Sequence, residues 1–270
     1  MSALTLKLRC EPAMRLDLSC LVPGRLAGMS RGEIERLEVG RGRHPLKVGD
    51  CFEVSGESGD SIIFEGGSDR FDYVGATHAG GNILVDGDVG AYAARRMKAG
   101  GLEIRGNAGV CLASNMRGGT VKVGGSAGAH IGRPKPGEKD GMAGGAVIVQ
   151  GNTDDYPGER MRRGILFVRG RLGKFAGARM MGGTIFAEQG LSEGAGIQMR
   201  RGTLIGPKLE APLATFVDCG RHDLLILKVM ARYWLKTLGD AAPPQLTTPP
   251  RRLMGDMASL GKGEILLSGA

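Results

Sequence analysis

The sequence predicts an all-β fold: a parallel β-helix (solenoid) of about eight 19-residue turns, with an N-terminal β cap and one C-terminal α-helix. Three observations carry this. The first is one phrase repeated with small changes: HAGGNILVDGDVG at 78–90, MKAGGLEIRGNAG at 97–109, MRGGTVKVGGSAG at 116–128, MAGGAVIVQGNTD at 142–154, MRRGILFVRGRLG at 161–173, MMGGTIFAEQG at 180–190 and MRRGTLIG at 199–206. Anchors three residues after each Met, or after His78, fall at Gly81, Gly100, Gly119, Gly145, Gly164, Gly183 and Gly202. Their separations are 19, 19, 26, 19, 19 and 19. A fixed period in this range marks a solenoid. The second observation is alternation. Two residues after the anchor stand Ile83, Leu102, Val121, Val147, Leu166, Ile185 and Leu204; four after stand Val85, Ile104, Val123, Val149, Val168, Ala187 and Gly206. Period two with one apolar face is a half-buried strand. The third is that the 48 glycines sit largely in register, closing strands at Gly87, Gly106, Gly125, Gly151 and Gly170. Residues 94, 113, 132, 158, 177 and 196 form a further small column. Glycine this frequent would cost about 1 kcal/mol at each position inside a helix, so helical repeats are a poor alternative.

Residues 1–55 lie outside the repeat and are read as a β segment capping the solenoid. LTLKLRC (4–10) and MRLDLSCLV (14–22) alternate as strands, ended by Pro12 and by Pro23-Gly24. Ser30 and Glu33 have the spacing of a helix capping box, and VGDCFEVSG (48–56) reads as a strand entering the rod. The solenoid spans 56–210. Its first turn, 61–77, fits an anchor at Ile62, with Phe64 inside and Gly75 in the small column. Eight rungs about 4.8 Å apart make a rod roughly 35–40 Å long. The 26-residue spacing places seven extra residues around 133–140 (RPKPGEKD). Residues 211–270 hold the helix, about 222–238, and a Pro-rich tail. Leu224, Leu227, Leu235 and Leu238, with Met230, Tyr233 and Trp234, are apolar at helical spacing, and Gly239 stops the helix. The tail has too little apolar mass to fold alone and is expected to pack on this chain or on another.

Three residues after the anchor the outward column reads Leu84, Glu103, Lys122, Ile148, Phe167, Phe186 and Ile205. Its last four members make an apolar stripe, to be covered by the C-terminal helix or by a partner subunit. A formal charge of +8 permits an anionic ligand or an acidic partner. Aromatics are 4% and do not alternate with arginine, which argues against nucleic acid. Neither a signal-peptide core nor an apolar run of membrane-spanning length stands out, which points to the cytoplasm. Five widely spaced cysteines suggest reduced thiols rather than disulfides or a metal site.

No phosphate-binding loop, dinucleotide fingerprint, zinc motif or nucleophile elbow occurs, so neither a catalytic residue nor a metal ligand is expected. His78 takes the place of a Met, and His130 shares a column with Tyr92, Cys111, Tyr156 and Phe175; both read as packed positions. Asp154 and Asp155 read as solvated. The exception is a basic column two residues before the anchor: Lys98, Arg117, Ala143, Arg162, Met181 and Arg200. Arg95, Arg96, Arg133, Lys135, Arg163, Arg179 and Arg201 stand nearby in sequence or period. Stacked like charges favour an anion beside them. A row of solvated corner residues is the other reading.

The M-x-x-G-G-x-h-x-h-x-G phrase resembles the Gly-rich β-helical domain at the C-terminus of the glutamate synthase large subunit. With the N-terminal strands, the Pro-rich tail and the ending GKGEILL (261–267), the whole layout more closely resembles the C subunit of formylmethanofuran dehydrogenase. The resemblance implies one of two complexes. One is a tungsten or molybdenum enzyme that reduces carbon dioxide onto methanofuran. The other, favoured by the Arg- and Ala-rich composition, is a bacterial formyltransferase/hydrolase complex. That complex passes a formyl group from tetrahydromethanopterin to a methanofuran analogue and releases formate in formaldehyde oxidation. In both, the resemblance assigns the chemistry to other subunits: an amidohydrolase-like hydrolase, a formyltransferase and a third related to the redox subunit. This chain would be a non-catalytic scaffold holding no cofactor tightly, with a methanofuran-type coenzyme at the level of the complex. The glutamate-rich tails of such coenzymes make Lys98, Arg117, Arg162 and Arg200 candidates for holding a tail, or for meeting an acidic neighbour. A stand-alone β-helical enzyme or ligand-binding protein is the alternative, though no paired carboxylates recur on neighbouring turns. A glutamate-synthase-like scaffold is a third reading.

Overall fold

The computed structural model describes residues 3–40 and 45–269. In chain order, β1 (Leu4–Leu8) and β2 (Leu16–Asp17) precede three short helices, α1 (Pro23–Leu26), α2 (Arg31–Glu35) and α3 (Val48–Cys51). Then come β3 (Phe52–Ser55), β4 (Ser61–Glu65), β5 (Phe71–Asp72), β6 (Ala79–Asp86), β7 (Ala99–Ile104), β8 (Thr120–Val123), β9 (Ala143–Val149), β10 (Arg163–Val168), β11 (Thr184–Ala187) and β12 (Arg201–Gly206). The chain ends with β13 (Val217–Arg221), α4 (Leu225–Leu238), β14 (Arg251–Gly255) and β15 (Lys262–Leu267).

The protein is a parallel β-helix. Strands β4 and β6 to β12 pair in parallel, each with the next, and the columns stack as their spacing requires: Ile83 faces Leu102, Leu102 faces Val121, and Val121 faces Val147. Register therefore survives the 26-residue spacing, and the seven extra residues leave the rod as a loop. Both inner columns are buried throughout, from Ile83 and Val85 to Ile185 and Ala187. The sheet continues past the repeat at both ends. Strand β1 pairs in parallel with β4, and β15 pairs in parallel with β12. The outermost strands then reverse. β3 runs antiparallel to β1, β14 to β15, and β13 to β14. A tight trio of Phe52, Phe64 and Phe71, with centroids 5.5–6.4 Å apart, fills the interior at the N-terminal end.

Several local expectations need correction. Ile62 lies opposite Ile83 rather than opposite the anchor Gly81, while Tyr73 stacks on Tyr92. The first turn therefore carries two more residues between strand and corner than the next turn does. Phe64 is still inside, opposite Val85. Of 14–22 only Leu16–Asp17 is a strand, because the chain turns directly after it, where the Leu21 N–H bonds the Leu18 carbonyl at 3.0 Å; 48–51 is helical before β3 begins. Ser30 and Glu33 do form a reciprocal capping box on α2.

The Met column explains the phrase. Met97, Met116, Met142, Met161, Met180 and Met199 are all buried. A Cβ on Gly119, Gly145, Gly164 or Gly183 would come within 2.7–2.9 Å of the Met Cε of the preceding turn. Each Met thus fills the space that the next anchor leaves open. At the corner after the strands, side-chain oxygens take the next turn's backbone N–H. Asp88 accepts from Asn107 at 2.6 Å, Asn107 from Ser126 at 2.8 Å, Ser126 from Asn152 at 3.0 Å, and Asn152 from Arg171 at 2.8 Å.

The outward stripe is covered by this chain. Ile148, Phe167, Phe186 and Ile205 form a second core with Trp234 and Leu238 of α4 and Leu266 of β15. Leu227 and Met230 complete the inner side of the helix. Tyr233 and Leu235, read with that apolar face, are instead 60% and 64% exposed. One turn of chain cannot aim both Trp234 and its neighbours at the sheet. Among the described residues no helix is long and apolar enough to cross a membrane, and no group of His, Cys, Asp or Glu could hold a metal ion.

Candidate functional site: a basic corner

The residue two before each anchor donates its N–H to the Met or His carbonyl of the turn below. Lys98 bonds His78 at 2.7 Å, Arg117 bonds Met97 at 2.8 Å, Arg162 bonds Met142 at 2.8 Å and Arg200 bonds Met180 at 2.8 Å. Ala143 and Met181 make the same bond at the two gaps. Lys98, Arg117, Arg162 and Arg200 therefore share one column, all four exposed, with side chains rising from rungs about 4.8 Å apart. The loop 133–140 folds against this corner and divides the column with its own carboxylates. Asp140 takes Arg162 at 2.7 Å. Glu138 takes Arg95 at 2.5 Å and Arg96 at 2.6 Å. Burial pushes the Glu138 carboxyl up, but the Lys135 backbone N–H and both guanidiniums outweigh it, and the group sits below its ordinary value. Lys135 reaches the hydroxyl of Tyr73 at 2.7 Å and lies over the rings of Tyr73 and Tyr92.

Two groups of cations remain. Lys98 and Arg117 stand on neighbouring turns; among the described residues no carboxylate lies within 4.0 Å of either. Arg200 joins Lys139, Arg160 and Arg179 around a pocket of about 410 Å³ that also takes in Gln198 and Ser259. Its walls come from the loop, from three successive turns and from the segment before β15. Arg179 is held in place, its Nε donating to Gln198 at 3.0 Å and its Nη1 lying 3.6 Å from Glu159. Glu159 is buried, and Arg133 at 3.2 Å and His130 at 3.4 Å also face it. Burial first, then the Arg133 charge, hold the His130 imidazole below its ordinary value against the pull of Glu159. One carboxylate thus serves two guanidiniums, and the pocket lining itself contains no acid. Guanidinium forks at this spacing suit carboxylate or phosphate groups.

The sequence expectation missed Lys139 and Arg160. Arg160 belongs with Arg96, Asn115, Arg179 and Gln198 in a column fifteen residues after the anchor, where all five adopt positive φ of 53–56°. Sequence marks that column weakly, because glycine is the usual sign of a left-handed corner and only Asn115 among the five is a residue that favours it. The column of Tyr92, Cys111, His130, Tyr156 and Phe175 is likewise left-handed, with φ of 59–66°, and half-buried on the outside of the rod. His130 stacks on Tyr156, and Tyr156 on Phe175, at 5.2 and 4.9 Å. His78 is buried, its Nε2 bonding the Gly81 carbonyl at 3.1 Å.

No family model matches the chain. It is 45% identical over 86 residues to the C subunit of Fhc, the formyltransferase/hydrolase complex of Methylorubrum extorquens, 32% of each chain. It is 35% identical over 97 residues to the C subunit of the tungsten-containing formylmethanofuran dehydrogenase 2 of Methanothermobacter thermautotrophicus, covering 34% of this chain and 36% of that one. These sequence matches span about a third of the relatives' own length. The likeness in structure reaches further. A chain in the crystal structure of the M. extorquens formyltransferase/hydrolase complex (FhcABCD) with methylofuran superposes with a TM-score of 0.93 at 39% identity, over 98% of this chain and 99% of that one. Fold, length and sequence agree along the whole rod, and the chain belongs to the family of the formyltransferase/hydrolase complex C subunit, related to the C subunit of formylmethanofuran dehydrogenase.

Proposed function

We propose that this chain is a structural subunit of a formyltransferase/hydrolase complex. That complex moves a formyl group from tetrahydromethanopterin to a methanofuran analogue and releases it as formate. The observation that carries the reading is the end-to-end likeness to a chain of the M. extorquens complex. Its partners are an amidohydrolase-like hydrolase subunit, a formyltransferase subunit and a third subunit related to the redox subunit of the methanogen enzyme. The chemistry lies on those partners, and this chain supplies a rigid rod with a basic corner. The coenzyme belongs to the whole complex, as methylofuran does in the neighbour's crystal structure. Within this reading, Lys98, Arg117, Arg162 and Arg200 serve its acidic tail or an acidic surface of a partner. Arg162 is the weakest of the four, because Asp140 already holds it. Arg200, with Lys139, Arg160 and Arg179, is the strongest.

The test is purification of the assembly through a small tag on this chain. Co-elution of the other subunits in fixed ratio, with formyl transfer and formate release, is the expected result. A Lys98→Glu/Arg117→Glu pair and an Arg160→Glu/Arg200→Glu pair then probe the corner. Coenzyme content and its salt dependence should fall in at least one pair. Unchanged coenzyme retention and normal assembly in both would leave the corner as a solvated surface only. A second reading, the C subunit of a tungsten or molybdenum dehydrogenase, draws on the 35% match to the Methanothermobacter protein. Tungsten or molybdenum in the purified assembly would favour it.

A further inference from the structure

Helix α4 carries more apolar side chains than it buries. Leu227, Met230, Trp234 and Leu238 lie against the sheet. Leu225, Ile226, Val229 and Tyr233 are 72%, 55%, 54% and 60% exposed. Their spacing, one turn apart along the helix, makes a second apolar stripe on the side away from the rod. Beside it runs a cationic row, Lys228, Arg232 and Lys236, again one turn apart. Only Lys228 has an acidic neighbour, Asp223 at 3.2 Å; among the described residues neither Arg232 nor Lys236 has a carboxylate within 4.0 Å. The start of the helix lacks its usual complement as well. Leu224 gives no side-chain cap, and the first turn holds no acid. Two features of one helix, the row and the uncapped start, thus call for carboxylates from outside the chain.

We propose that the outer face of α4 is a docking surface for another subunit of the complex, one that presents an apolar groove edged with carboxylates. The inference rests on the functional reading above. A second copy of this chain fits poorly, because an antiparallel symmetric pairing of α4 with itself would bring two cationic rows together, with one Asp223 beside each, and a parallel one would bring two uncapped helix starts together. A membrane surface would accept the same charge pattern. The protein partner is favoured because the matched chain of the neighbour belongs to an assembly and aligns over 98% of this chain, which takes in α4. A stripe of large side chains with a flanking charged row is the ordinary form of a helix that lies in a partner's groove.

The experiment uses the full chain, co-produced and purified with the other subunits. Val229→Asp/Tyr233→Asp removes the stripe, and Arg232→Glu/Lys236→Glu reverses the row. Both variants should release this chain from the assembly, with binding weakened roughly tenfold or more. The released chain should keep its fold: Trp234, the single Trp and 4% exposed, should keep the blue-shifted emission of a buried indole. A photo-crosslinker at Val229 should attach to another subunit identified by mass spectrometry. Normal assembly of both variants overturns the proposal. So does concentration-dependent dimerisation through the same residues, or binding to phosphatidylcholine/phosphatidylglycerol vesicles that the variants lose. If the unaltered chain brings no subunits with it, the functional reading itself fails. If it does and the variants do too, only the docking surface fails.

Discussion

At Gly145 the repeat rests on an absent methyl group. Its φ is +84°, and a Cβ there would lie 2.7 Å from both the Gly119 carbonyl and the Met116 methyl. Gly145→Ala should cost roughly 2–4 kcal/mol, from backbone strain and overpacking together. Gly137→Ala is the control, since Gly137 shares a φ of +88° but has nothing within 4 Å. Denaturant unfolding of the two variants separates overlap from strain; equal losses would refute the role given to Met116. His78 offers a second test. Burial lowers its pKa below the ordinary 6.5, and the Gly81 carbonyl only partly opposes this. The unfolded chain takes up a proton near pH 6.5 that the folded chain refuses until lower pH. Stability is therefore lost as pH falls below about 6.5, and the loss levels off below the folded value. His78→Met, which restores the residue found in the other turns, should flatten that part of the pH–stability curve. His130, shifted the same way, should contribute to the slope that remains.

Among the elements, α4 is attached to the rod by few side chains. Trp234 is 4% exposed against the stripe of Ile148, Phe167, Phe186 and Ile205. Trp234→Ala should weaken docking of the helix by about 3 kcal/mol. The loss should appear as faster proteolysis and hydrogen exchange over 222–250, with the β4–β12 sheet as protected as before. Uniform loss of protection across the sheet would mean that helix and rod unfold as one unit. This helix was legible in the sequence because 227, 230, 234 and 238 repeat at helical spacing, and its apolar outer half blurred only the choice of face. The rod was legible for the same reason: a period of two within a period of 19 leaves one arrangement of inner columns. The corner was legible only in part. Column positions follow from spacing, so Lys98, Arg117, Arg162 and Arg200 do share one column, with Ala143 and Met181 between the last three. Which of them is neutralised depends on where the loop 133–140 folds, and Glu138 and Asp140 reach Arg95, Arg96 and Arg162 across 22–43 residues of sequence. No local pattern encodes such a contact.

Taken whole, the molecule is built on one thirteen-stranded sheet, with β2 and β5 paired apart from it, and the first and last parallel strands of that large sheet come from outside the repeat. Strand β1 has its partner β4 more than fifty residues on, and β12 and β15 are separated by a similar length. Neither pairing has a sequence signal beyond an alternating strand with compatible side chains, so KGEILL reads as a tail until it is seen beside Leu204 and Ile205. The excursion between β12 and β15 has a consequence for synthesis. Once residue 206 has emerged, the edge of β12 lacks its final partner until residues 262–267 have been made. At about 5–20 residues per second, those roughly 60 residues take on the order of 3–12 s. For that interval the nascent rod ends in a row of open backbone donors and acceptors. Ribosome pausing within 207–261, or a slowly translated stretch there, should raise the fraction of chain lost to edge-to-edge aggregation, while the same delay placed before β4 should not.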